Sequence, residues 1–510
     1  MEGPDRPPAP PRWYFISFLH LRGMTVLGSM RCLACATLLT SGAALELKRT
    51  DSLQLAAREL EHPWPTQRGP QSRMFGRTDV VVPHNLSGAL KWSWHHPDGR
   101  YHTNIGGGAT IDAGGNFYLT TNDGVRKISP EGKVLWFFEM YNKHINNEVS
   151  LYSDKVYGST QDGGGFALDA ETGKPVWLRK LVGDAGMDAG YPAATEGVFL
   201  MGAKMGKDQR STGGNQEVFG LDAATGKTLW SFKSEWPVWN FSPLFPGDGT
   251  CVFMDFTGGM YRLGLHNGTL LWHTQAPGAA QSFSDGGASL GPNGFAYSCS
   301  NPGADNGKEG TKGVIRAFRV ADGAIVWEQS LPQPCNSYPA VGQLGEGRGL
   351  SVVVTPGSFM GSPRLHGSIM AFDAATGAPQ WRFNAPPWYG KMNMAKGDLE
   401  GMNERRKFNA EHLICLPAHW SSANIAGDGT VFAGRSDGRI YAVLPSPASA
   451  AVSLASSSSS TSELTADFAS TPGLEVQTWD ADGAPLHGAF AFAPDVMAFA
   501  SCDTLYVFKV

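Results

Sequence analysis

Charge is scarce in this chain. Asp, Glu, Lys and Arg make up 17% of its 510 residues, against roughly 25% in ordinary soluble domains. The net charge is -5, which gives no general attraction for nucleic acid or an anionic bilayer. Cysteine is also scarce, 7 in all. No CxxC pair lies beyond residue 48, so a zinc ribbon has no support. No CxxCH motif is present, which excludes a c-type haem attachment. No uninterrupted apolar run approaches the roughly 20 residues of a membrane helix. What is abundant is glycine (64), with 33 Pro and 15 Trp. That glycine has no three-residue period, so collagen is excluded. The 42% apolar content excludes a disordered chain.

Length alone suggests about three domains, unless the chain is built of repeats. The first 48 residues read as a targeting leader. Two apolar stretches, 13–21 and 32–45, are interrupted by Arg22 and Arg31. Met30-Arg31, the second stretch, and the small residues Ser41 to Ala44 follow the order of a secretory signal. Met24 and Met30 are alternative starts. Sequons at Asn85, Asn240 and Asn267 fit a secretory route. Residues 49–88 then form an N-terminal extension, and 89–510 one repeat domain with no membrane span.

The repeat occurs six times. An apolar strand is followed by a turn with Gly, then Trp four residues later: 125–136, 166–177, 219–230, 261–272, 316–327 and 370–381. The glycines are Gly132, Gly173, Gly226, Gly268, Gly323 and Gly377. The tryptophans are Trp136, Trp177, Trp230, Trp272, Trp327 and Trp381, with Trp92 ahead of them. Successive differences from 92 to 381 lie between 41 and 55 residues, the length of a four-stranded propeller blade. Gly supplies the positive φ that a tight hairpin needs. Asp169, Asp222 and Asp373 can bond the turn backbone. The Trp rings are expected to pack against the neighbouring blade.

The AxDAxTGKxxW repeat resembles the pyrroloquinoline quinone (PQQ) type β-propeller repeat, found in quinoprotein alcohol dehydrogenases and in an outer-membrane assembly lipoprotein. The segment from Trp64 to Pro70 looks like the start of such propellers. The resemblance covers about residues 64–510 and implies an all-β fold. We expect an eight-bladed β-propeller of four-stranded antiparallel blades. A seventh unit follows Trp381 and carries a Ser/Ala-rich insertion at 446–470, expected to be a disordered surface loop. An eighth unit has only three strands, ending in TLYVFKV. The strand 89–94 with Trp92 lacks a blade. Each surplus fits the other, so residues 89–94 are predicted to complete the last blade and close the ring.

The connections leading into the innermost strands gather around the central channel. They supply the candidates His102, Asn104, His144, Asn147, Asp188, Tyr191, Trp239, Asn240, Asp285, Asn336, Tyr338, His419 and Trp420, with His487 in the last unit. These aromatic and polar groups suit a binding pocket. One connection, 385–418, is far longer than the rest and reads as a lid. It carries Trp388, Tyr389 and Arg405 to Lys407, and 398–414 has helix-compatible composition. Cys335 and Cys415 precede the inner strands of adjacent blades, so a disulfide between them is one expectation.

Two function classes stay open. One is a secreted or lumenal platform binding a protein, peptide, glycan or small molecule at the funnel. The other is a quinoprotein dehydrogenase. For that family the resemblance implies PQQ held by Ca²⁺, an Asp base, a Trp floor and, in many members, a disulfide between adjacent cysteines. No adjacent pair exists here. Glu148, Asp188 and Asp285 are candidate Ca²⁺ ligands, and Trp239 or Trp420 a stacking floor. His102, His144 and His419 keep a transition-metal site open.

Overall fold

The computed structural model describes residues 61–510, apart from 141–147, 182–184, 186–189, 206–213, 279–281, 283, 285, 304–310, 359–365, 392–393, 409–418 and 446–469. Eight antiparallel sheets follow one another along the chain, the blades of a propeller. Blade 1 holds β2 (Thr110–Ile111) to β5 (Val134–Glu139), and the order inner-to-outer is the order of the sequence. Blade 8 is closed as the surplus strands predicted. β1 (Leu90–Trp94) pairs with β31 (Leu505–Lys509), Trp92 standing opposite Val507. Joining first strand to last leaves no open sheet edge between the ends of the ring.

Blade 4 departs from the pattern. Its sheet has three strands, and the inner strand shrinks to one bridge between Leu244 and Val252. Pro243 and Pro246 flank Leu244, and neither can donate to a ladder.

The repeat motif is a blade-to-blade clasp. In each of the six copies the register slips by one residue at the turn. This is a bulge with Gly in the left-handed region. Gly226, for example, has φ +69, and a Cβ there would sit 2.7 Å from Trp177 of the previous blade. The Trp indole N–H then donates to a carbonyl of the next blade's turn. Trp92 reaches Pro130, Trp136 reaches Ala170, and Trp177 reaches Ala223. Trp230, Trp272 and Trp327 reach Leu265, Val320 and Ala374. Asp169, Asp222 and Asp373 each accept the backbone N–H and hydroxyl of the Thr three residues on. Trp381 is buried, but its N–H has no partner among the described residues. Its neighbour is blade 7, where the Ser/Ala-rich insertion replaces the usual turn.

The N-terminal extension does what its sequence did not announce. Residues 62–80 run across the channel and bond to the inner strands of six blades. Trp64 bridges Ile111 of blade 1, and the Leu151 N–H of blade 2 donates to Pro65. Gln71 donates to Ala194 of blade 3. Leu290, Val341 and Ile425, of blades 5, 6 and 7, donate to Met74, Phe75 and Gly76. The Trp64 ring meets Phe492 of blade 8 edge-on at 5.1 Å.

Candidate functional site

Arg68 stands at the centre of this plug, fully buried. Its Nη2 donates to Pro339 O at 2.6 Å and Ala423 O at 3.0 Å, and Nε to Ser289 Oγ at 3.3 Å. One side chain thus ties three blades. Burial without a paired carboxylate lowers its pKa to about 9. A Cβ on Gly76 would collide with this guanidinium, so the chain can pass only as glycine.

Nearer the loops, Tyr338 spans the channel. Its hydroxyl donates to Asn240 O at 2.7 Å, two blades away, and its ring meets Tyr191 of blade 3 edge-on at 5.8 Å. Its N–H donates to Ser422 Oγ. Gly287 leaves room for the ring; a Cβ there would lie 1.8 Å from it. Asn240 adopts φ +44 and is buried, so its sequon is not a surface acceptor. The sequence-predicted residues Tyr191, Asn240 and Tyr338 therefore do meet, but they fill the funnel instead of lining an empty one.

The other candidates divide. Asn336 accepts from Asn301 at 2.6 Å, tying the connection into blade 6 to blade 5. Asn104 is buried beside blade 1. Trp239 is half-buried, with its ring against Gly214. His419 accepts from Arg435 Nε at 2.8 Å, and Arg435 lies over the Trp420 and Tyr441 rings. Burial, with Arg435 beside it, holds His419 well below the usual imidazole range. Its Nε2 is engaged by the Arg435 guanidinium. His144, Asn147, Asp188 and Asp285 lie outside the described residues.

In the long connection, α1 (Asp398–Arg405) forms the front of the expected helix. The stretch before it docks on blades 7 and 8: Lys396 N donates to Ser436 O, and Ala484 N to Lys396 O. Lys396 Nζ reaches Asp480 and Asp482. Arg405, the last residue of α1, is fully buried, and burial lowers its pKa despite the nearby Asp398. Trp388 is half-buried and Tyr389 exposed.

The expected Cys335–Cys415 bond is corrected. Cys335 pairs with Cys299 of blade 5, with Cα atoms 5.4 Å apart. The Cys335 N–H also donates to Asn301 Oδ1 at 2.7 Å, holding it beside that blade. Cys502 is disulfide-bonded as well, and Cys415 lies outside the described residues.

Sequence reasoning named Glu148 but could not single it out. It is fully buried at the channel wall, beside the Gly108 backbone N–H and the Arg68 charge, both of which favour its ionised form. Gln67, Ser150 and Ser242 have unpartnered atoms in the same small void. Burial raises the Glu148 pKa well above the usual carboxylate range. A Cβ on Gly488 would press on both Gln67 and Glu148 Oε2.

Among the described residues no PQQ site is assembled. The quinone is a flat tricyclic anion needing an open slot, whereas Tyr338 and Arg68 occupy the channel. Ca²⁺ takes six to eight oxygens, and the described wall offers one carboxylate. We derive no step through either group.

A family model described as "Outer membrane protein assembly factor BamB" matches residues 77–207, 167–297 and 311–477. The dehydrogenase subunit of a quinone alcohol dehydrogenase from Gluconobacter oxydans is 28% identical over 230 residues, 40% of this chain and 29% of that protein. A quinohemoprotein alcohol dehydrogenase ADH IIB from Pseudomonas putida is 36% identical over 90 residues, 17% of this chain and 12% of its own. The chain thus spans less than a third of these curated relatives. Among solved structures, BamB from Moraxella catarrhalis superposes with a TM-score of 0.54 at 13% identity, covering 82% of this chain and 99% of that one. Quinohemoprotein alcohol dehydrogenase from Comamonas testosteroni gives 0.56 at 14% identity, covering 92% and 83%. At such identities the likeness is one of fold. Among the described residues no helix is long and apolar enough to cross a membrane.

Proposed function

Because the chain belongs to the PQQ-type β-propeller family matched by the BamB model, we propose that it is a binding platform of the secretory route. On this reading it docks a protein or peptide on the face where the connecting loops gather. The observation that carries this reading is the filled channel. Tyr338 reaches across to Asn240, and Arg68 binds three blades beneath it. A propeller whose axis is packed with its own side chains has its loop face left for recognition. That face carries the half-buried Trp388, the exposed Tyr389 and the α1 connection, an aromatic and polar surface suited to a polypeptide. BamB is by its description an assembly factor, and a docking role of that kind needs no cofactor.

A quinoprotein dehydrogenase is the second reading. It is favoured by one observation, the fully buried Glu148 carboxyl at the channel wall. Reconstitution with PQQ and Ca²⁺ separates the two. The platform reading expects no thermal shift and no dye-linked alcohol oxidation at saturating cofactor. Stabilisation together with turnover would overturn it.

A further inference from the structure

The closing strand β1 ends at the buried Trp94, and the chain then turns back on itself. Gly99, with φ +134, makes the reversal. Its N–H donates to His96 O, and the His102 N–H donates to Gly99 O. The sequence His96-Pro-Asp98-Gly-Arg-Tyr-His102 therefore brings two imidazoles and a carboxylate to one point. One ring nitrogen of each histidine and one Asp98 oxygen all lie within 4.8 Å of one another. Asp98 Oδ2 is 3.9 Å from His96 Nδ1 and 3.9 Å from His102 Nε2.

We propose that His96, Asp98 and His102 bind a divalent transition ion of the zinc class. The donor set is chemically apt: two neutral nitrogens and one carboxylate are borderline ligands, at home on zinc and poorly matched to calcium. The donors need only a small contraction, because ligands about 2.1 Å from zinc lie roughly 3.4 Å from one another. Two local changes accompany binding. His96 Nδ1 now accepts the Asp98 N–H at 3.2 Å, and the ion replaces that proton. The two rings are stacked, 4.5 Å apart and 16° from parallel. The partly exposed His102 ring swings so that its edge faces Asp98, a turn its surface position permits.

A supporting shell is already built. His96 Nε2 lies 3.4 Å from Asp123 Oδ2. Arg126 grips both Asp123 oxygens, at 2.9 and 2.5 Å. Arg126 is itself fixed over the Phe137 ring at 4.0 Å and the Trp94 ring at 5.2 Å. A carboxylate on the far nitrogen of a ligating histidine sets its tautomer and strengthens it as a donor. With three protein donors, the fourth position is left to water or to a donor from a docked partner. The ion would clip the end of the closing strand to the connection that starts blade 1.

Titration of the full chain with Zn²⁺, and with Co²⁺ as a visible probe, tests this. One ion per chain is expected, with cobalt d–d absorption. His102→Ala and Asp98→Asn, both at the surface, should lower affinity at least tenfold with unchanged circular dichroism. Asp123→Asn should lower it about 10- to 100-fold. His95→Ala is the control: His95 is exposed beside the site and lies outside the donor set, so binding should be unchanged. No saturable binding, or equal binding in His102→Ala and wild type, overturns the site. If His102→Ala misfolds, Asp98→Asn decides alone.

Discussion

The rim and the axis of this propeller are stabilised in different ways. At the rim, one device repeats six times: a bulge glycine presses on the tryptophan of the blade before, and that indole donates across the gap. At the axis nothing repeats. A single extended segment contacts blade after blade with a different residue each time, and one guanidinium binds three carbonyl and hydroxyl oxygens. A redundant rim tolerates the loss of one clasp, as Trp381 shows by lacking an acceptor among the described residues. The axis has no second Arg68.

The largest effect is therefore expected at the axis. Arg68→Ala strands the Ala423 oxygen and leaves Pro339 O and Ser289 Oγ only their mutual bond, and hydrogen bonds to charged groups are worth about 1.5–3 kcal/mol each. A loss of roughly 3 kcal/mol or more, read from the denaturant midpoint, sharpens the contrast; a loss under about 1 kcal/mol would break it. Next comes a matched pair of glycines. Gly226→Ala combines positive φ with a Trp177 clash at 2.7 Å, whereas Gly197→Ala has φ +77 and nothing within 4 Å. The second should cost only the backbone term, about 1 kcal/mol, and the first clearly more. Equal costs would mean that the Trp contact contributes nothing.

A smaller effect separates two tryptophans. Trp327→Phe loses the bond to Ala374 O, while Trp381→Phe loses none among the described residues. The first should be destabilised by about 1 kcal/mol more; equal values would show the indole bonds to be irrelevant. The smallest is a slope with pH. Glu148 has its pKa raised by burial, so the folded state holds a proton that the unfolded state releases. Stability from this group is complete below the ordinary Glu range and falls as pH rises towards the elevated folded value. Glu148→Gln should flatten that decline above the ordinary Glu range. An unaltered slope would place the titration elsewhere.

The same contrast governs what the sequence made legible. Gly and Trp recur at fixed spacing because every blade solves one packing problem, so fold, blade count and ring closure can be read from it. β1 was placed on β31 by counting surplus strands, and the register bears this out. The axis has no period. Trp64 to Pro70 stood out as a family-like start, yet nothing local says that Arg68 enters the channel. Tyr191, Asn240 and Tyr338 come together, but their spacing does not say whether they line a space or fill it. Cys335 illustrates the same limit: its partner is Cys299, and the Cys335 N–H is held beside that blade by Asn301 Oδ1, which nothing in the repeat spacing announces.

Backbone hydrogen exchange tests the filled axis most directly. Gly76 N–H donates to Arg68 O, and Thr78 N–H to Ile425 O, inside the ring. If the segment is the axle described here, these amides exchange as slowly as those of the inner strands, opening only with the whole propeller. Rapid exchange of Gly76 and Thr78 while Val352 and Ala317, in middle strands of blades 6 and 5, stay protected would mean that the segment leaves the channel, and the account of a closed axis would be contradicted.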